Sequence, residues 1–119
     1  MCNLSYFTIY YPTLTLQETK NMFGKLFKKT DYKELLNNGA VIIDVRSPGE
    51  YKGGAIPESE NIPLQSLGSR VKQIKSLEVP VICVCASGVR SASAKAQLKA
   101  AGIDAYNGGA WTKMIPYVD

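Results

Sequence analysis

The stretch that decides the fold of this chain is residues 81–91, which reads VICVCASGVRS. It begins with an apolar, largely β-branched run directly after Pro80, and proline is tolerated at the first position of a strand. Such a run without polar alternation is typical of a strand buried on both faces of a parallel sheet. Small residues follow, and the alanine-rich segment 91–101 before Gly102 predicts a helix. The stretch therefore predicts a strand, a short loop and a helix.

Strands and helices are predicted to alternate on both sides of this stretch. In chain order, the other predicted elements are a helix over 31–38, a strand over 41–45, a loop over 47–59, a short extended piece over 62–64, a helix over 67–75, a strand over 103–106 and a helical turn over 111–115. This alternation predicts an α/β fold with a mainly parallel central sheet.

The length predicts one domain, and the charge pattern argues against nucleic acid or an acidic membrane as a partner. The chain has 119 residues and a net charge of +4, without a basic block of the kind that binds nucleic acid or a membrane surface. The apolar segment 4–11 is far shorter than the roughly 20 residues of a membrane span. Residues 1–21 carry little charge, so we expect a loosely ordered arm there, dispensable for folding, and a domain over residues 22–119.

The cysteine and histidine content restricts the chemistry. The three cysteines are too few and too irregularly spaced for a disulfide framework; they are Cys2, Cys83 and Cys85. This pattern favours a reducing, cytoplasmic location. The chain contains no histidine, so a Cys-His dyad is excluded, and we expect neither a metal nor a cofactor. A reactive cysteine must therefore be activated by other groups.

The candidate site is the segment of residues 85–90, here called the cysteine loop. It follows a buried strand, and ligands of open α/β sheets bind at the carboxyl ends of strands. Its small residues allow backbone N–H groups to converge beside the next helix, where they stabilise a thiolate and lower its pKa. The site comprises a nucleophile and the substrate-binding residues that follow it: Cys85, Ala86, Ser87, Gly88, Val89 and Arg90.

Arg90 has two possible roles, whereas the other residues near the cysteine loop are interpreted as structural. Arg90 either grips an anionic substrate with its planar fork or holds the loop through an ion pair with Asp44 or Glu50. Asp44 and Arg46 are interpreted as structural, since a carboxylate at the end of an apolar strand needs partners. Cys83 lies inside the strand and is interpreted as a core residue.

The chain resembles the rhodanese family along most of its length. The resemblance is carried by DVRSPGEY at 44–51, GAIP at 54–57, NIPL at 61–64, the cysteine loop, Gly102, Gly108-Gly109 and Trp111. It implies a three-layer domain with a five-stranded parallel sheet flanked by helices, and a persulfide on Cys85. It also implies transfer of a sulfane sulfur from a small anionic donor such as thiosulfate to cyanide, a thiol or a protein acceptor. Ala55 departs from the histidine that the family often has there.

Two other functions remain open at this point. The first is a phosphatase or arsenate reductase on a related fold, although those families have a loop one residue longer between cysteine and arginine. The second is a non-catalytic module of the same family that carries sulfur or binds a partner.

Overall fold

A computed structural model describes residues 29–118 of the chain, and within them residues 31–118 form one compact unit. In chain order, the elements are α1 (Tyr32–Asn37), β1 (Val41–Asp44), α2 (Pro48–Lys52), β2 (Glu60–Asn61), a 3₁₀ helix (Leu64–Arg70), α3 (Val71–Ser76), β3 (Val81–Cys85), α4 (Val89–Ala100), β4 (Ala105–Ala110) and α5 (Trp111–Val118). The predicted arm over 1–21 and the predicted domain start at Met22 lie outside the described residues.

The strands form one sheet in the order β2-β1-β3-β4, and every neighbouring pair is parallel. This confirms the predicted α/β fold with a parallel sheet. Between residues 29 and 118 the sheet has four strands, one fewer than the resemblance implies. Both sides of β1 and β3 are already paired, so a further strand could add only beside β2 or β4.

Helices cover both faces of the sheet because the side chains of β3 alternate between two cores. Val81, Cys83 and Cys85 pack in one core with residues of the 3₁₀ helix, α3 and α4. Ile82 and Val84 pack in the other core with residues of α1 and α5. This arrangement confirms the predicted flanking helices. In the part of the chain described, no helix is long and apolar enough to cross a membrane.

The segment predicted as a loop over 47–59 contains helix α2. Ser47 caps this helix: its hydroxyl accepts a hydrogen bond from the backbone N–H of Glu50, and the Glu50 side chain accepts one from the Ser47 N–H. Pro48 occupies the first turn, where its missing N–H costs nothing. The glycine and proline content obscured this capping box, and the prediction of an uninterrupted loop was wrong.

Strand β4 extends further than predicted, through both glycines to Ala110. Its register with β3 shifts there, since Cys83 pairs with Asn107 but Val84 pairs with Gly109. A Cβ on Gly108 would lie 2.8 Å from a methyl carbon of Ile82, so only glycine fits this position. The strand was predicted to end at Tyr106; glycines usually weaken strands, but the bulge accommodates them here.

Candidate active site

The cysteine loop turns sharply between β3 and α4. Gly88 caps α4 with φ +101° and ψ −7°, a left-handed conformation that glycine adopts without strain. Helix α4 therefore starts at Val89, earlier than the predicted Ser91. The turn aims two backbone N–H groups at the Cys85 sulfur: that of Gly88, with its nitrogen 2.9 Å from Sγ, and that of Ser91, at 3.4 Å.

Hydrogen bonds decide the ionisation of Cys85. Burial alone would raise the pKa of this thiol, because a charged sulfur is poorly solvated there. Hydrogen bonds from the Ser91 hydroxyl, and from the backbone N–H groups of Ser91, Gly88 and Ser87, outweigh burial and lower the pKa below its ordinary value. The direction agrees with the prediction from the sequence, so Cys85 is suited to act as a thiolate nucleophile.

Ser91 couples the sulfur to strand β4. Its Oγ lies 3.3 Å from Cys85 Sγ and donates to Asn107 Oδ1 at 2.6 Å. A serine hydroxyl has one proton to donate. A protonated Cys85 therefore donates to Ser91 Oγ, whereas a thiolate accepts a hydrogen bond from the hydroxyl in place of Asn107 Oδ1. The hydroxyl can therefore follow the charge on the sulfur.

Asn107 holds the cysteine loop in place. Its Nδ2 donates to the Gly88 carbonyl at 3.1 Å, and its Oδ1 also accepts from the Gly109 N–H at 2.9 Å. Its own carbonyl accepts from the Tyr32 hydroxyl at 2.7 Å. Neither Asn107 nor the role of Ser91 was predicted from the sequence. The only local signal is a small polar residue directly after Arg90 and an asparagine directly before two glycines.

Arg90 forms an ion pair with Glu50, one of the two partners considered from the sequence. Its Nη1 and Nη2 donate to Glu50 Oε1 and Oε2 at 2.7 and 3.0 Å, and each side chain is 38% exposed. Hydrogen bonds from Arg90 and then from Ser47 lower the pKa of Glu50 to about 2. The carboxylate is therefore charged throughout the neutral range.

Asp44 and Arg46 form a buried ion pair behind the site. The Nε of Arg46 lies 2.9 Å from both carboxylate oxygens of Asp44, and its Nη2 lies 2.8 Å from Oδ2. Arg46 also donates to the Gly54 carbonyl at 2.7 Å and stacks on the Trp111 ring, with its Cζ 4.7 Å from the ring centroid. Asn61 Nδ2 donates to the carbonyls of Asp44 and Arg46. These contacts confirm the structural interpretation of the pair.

Cys83 is fully buried in the core beneath α4. Burial raises the pKa of this thiol to about 12, so it stays protonated at neutral pH. Its interpretation as a core residue is confirmed, and it does not compete with Cys85 as a nucleophile.

We expect Ser91→Ala to raise the pKa of Cys85, because the thiolate loses a hydrogen-bond donor and the thiol loses only an acceptor. Thiolate forms as pH rises, so the alkylation profile should move to higher pH. The alkylation rate at neutral pH should fall by about threefold to tenfold, which is the effect of a hydrogen bond worth about 0.7–1.4 kcal/mol. Iodoacetamide alkylation against pH, in a Cys2→Ser background, measures the shift.

Ser87→Ala is the matched control, since this exposed serine approaches the sulfur only through its backbone N–H. An unchanged profile in Ser91→Ala would contradict the role given to the hydroxyl.

The fold and the site together define a class of protein. A parallel α/β sheet ends in a short loop whose cysteine is held by backbone and hydroxyl donors, and an arginine follows that cysteine at the start of the next helix. The chain belongs to the rhodanese family: the model of the rhodanese-like domain matches residues 28–111.

Named relatives support this assignment. Thiosulfate sulfurtransferase GlpE of Pseudomonas syringae is 34% identical over 74 residues, which cover 61% of this chain and 69% of that protein. YqhL of Bacillus subtilis is 41% identical over 63 residues, 53% of this chain, and the match spans only 49% of YqhL. The crystal structure of a rhodanese-like domain protein from Staphylococcus aureus is 31% identical, with a TM-score of 0.57 and 87% of each chain covered.

Proposed function

We propose that this protein is a rhodanese-type sulfurtransferase that moves a sulfane sulfur through a persulfide on Cys85. The observation that carries the proposal is the environment of Cys85 Sγ. The sulfur accepts hydrogen bonds from the backbone N–H groups of Gly88 and Ser91 and lies 3.3 Å from the Ser91 hydroxyl oxygen. These donors lower the pKa of the thiol. The similarity to a thiosulfate sulfurtransferase supports the same reaction class.

The proposed reaction has two steps of sulfur exchange. The Cys85 thiolate attacks the outer sulfur of a donor such as thiosulfate, a sulfur–sulfur bond forms, and the donor's own sulfur–sulfur bond breaks. The bonding electron pair leaves with sulfite, and a persulfide remains on Cys85. An acceptor, cyanide in an assay or a small or protein thiol in a reducing cytoplasm, then attacks the outer sulfur and restores the thiolate. Neither step needs a histidine, because a thiolate attacks and an anion leaves.

Two observations argue against the phosphatase alternative. Cys85 is buried under a short loop, and a single transferred sulfur requires less space than a phosphoryl group with its oxygens. Arg90, which would bind phosphate oxygens, is held in a two-point contact by Glu50.

Initial rates with thiosulfate and cyanide test the proposal. We expect parallel lines in double-reciprocal plots, since sulfite leaves before cyanide binds. Hydrolysis of an aryl phosphate faster than this turnover would instead identify a phosphatase. A stable persulfide without turnover would identify a non-catalytic carrier module.

A further inference from the structure

Glu50 occupies the end-on face of the Arg90 guanidinium, which is formed by its two terminal nitrogens. These nitrogens each contact a different oxygen of Glu50, at 2.7 and 3.0 Å. This parallel two-point contact is the one that a sulfonate or phosphate group would make. A dianionic donor could therefore use this face of Arg90 only by displacing the carboxylate.

Glu50 is itself fixed by the start of helix α2. The backbone N–H and the hydroxyl of Ser47 donate to Glu50 Oε1 at 3.1 and 3.0 Å. Hydrogen bonds from Arg90 and Ser47 keep the pKa of Glu50 near 2, so protonation does not release the carboxylate at neutral pH. Glu50 is thus held by Ser47 at the start of helix α2 and by Arg90 across the site.

The cysteine loop offers no second side-chain cation. Residues 85–89 are uncharged, and Arg90 is balanced by Glu50. Arg46 lies four residues before Glu50 in the chain, but it is buried in its pair with Asp44. The side chains of these two ion pairs therefore add no net positive charge for a donor that carries two negative charges.

We propose that Glu50 is a specificity-determining residue that neutralises Arg90 and so favours sulfane donors with one negative charge or none over dianionic thiosulfate. This inference rests on the proposed sulfurtransferase function. Thiosulfate then remains a usable but poor donor, and the preferred class is persulfides and thiosulfonates of low charge.

Two small donors that react in the same way but differ in charge isolate the effect of donor charge. Thiosulfate is a dianion that releases sulfite, and methanethiosulfonate is a monoanion that releases methanesulfinate. In both cases the Cys85 thiolate bonds to the outer sulfur, the donor's sulfur–sulfur bond breaks, and its electron pair leaves with the sulfinate or sulfite. The terminal sulfur of the persulfide keeps the negative charge that it carried in the donor, and the charge of the thiolate leaves with the sulfite or sulfinate.

Glu50→Gln is the test variant. Glutamine keeps the length and the side-chain oxygen and is accepted in a capping box, so helix α2 is retained. Removing one negative charge acts about twice as strongly on a dianion as on a monoanion at the same distance. We expect kcat/KM to rise about tenfold for thiosulfate and about threefold for methanethiosulfonate, so that their ratio shifts by about threefold.

Glu60→Gln is the matched control, because Glu60 also pairs with an arginine, Arg70, at 2.8 Å and is exposed. It should leave the donor ratio unchanged. Persulfide formation from both donors with an unchanged ratio in Glu50→Gln would overturn the inference and leave the proposed function intact. If neither donor places sulfur on Cys85 in the unmodified protein, both the inference and the proposed function are overturned.

Discussion

Cys85→Ala should abolish sulfur transfer and leave the fold intact. We expect turnover of thiosulfate with cyanide to fall by at least ~1,000-fold, because the reaction is carried by one covalent intermediate. No second thiol in the described core replaces it, since burial raises the pKa of Cys83 to about 12. The loss of one buried sulfur should cost about 1–2 kcal/mol of unfolding free energy, as for other small core deletions. Initial rates and thermal unfolding measure the two effects.

Cys83→Ala is the matched control, since Cys83 is equally buried in the same strand and faces the same core. It should lose stability by a similar amount and retain turnover. Substantial activity in Cys85→Ala, or loss of activity in Cys83→Ala with the fold retained, would contradict the assignment of the nucleophile.

Arg46→Leu should be the most destabilising single substitution behind the site. It leaves the Asp44 carboxylate fully buried without its cation and removes the contacts to the Gly54 carbonyl and the Trp111 ring. Breaking a buried pair in this way costs about 3–5 kcal/mol. Urea unfolding followed by circular dichroism should show the loss as a lower midpoint with an unchanged slope.

Arg70→Leu provides the comparison, because Arg70 pairs with Glu60 at the same distance of 2.8 Å but on the surface. We expect its unfolding free energy to change by less than about 1 kcal/mol. Equal effects for the two variants would show that burial of the Asp44 pair does not matter, which would contradict its structural role.

The parts of the fold that could be predicted are those set by local sequence. The apolar run of β3, the small residues of the cysteine loop and the alanine-rich helix α4 are contiguous, so their order alone predicts a site at the end of a strand. Helix α2 was missed because Pro48 and Gly49 resemble loop residues, while the capping box of Ser47 decides the structure. The length of β4 was missed because it depends on space beside Ile82, which no local pattern reports.

The candidate site also has a local part, which could be predicted from the sequence, and contacts between distant residues, which could not. Cys85 and the cysteine loop are adjacent in the chain, whereas Asn107 reaches Ser91 across 16 residues through a bulge in β4. The partner of Arg90 was left open between Asp44 and Glu50 because the Glu50 contact spans 40 residues. The burial of Asp44 against Arg46 decides between them, and only the packed structure reveals it.

Mass spectrometry of the protein after incubation with thiosulfate shows whether Cys85 carries the transferred sulfur. We expect the intact protein to gain the mass of one sulfur atom, peptide mapping to place it on Cys85, and cyanide to remove it. No added sulfur, or sulfur found on Cys83 or Cys2 instead, would contradict the account.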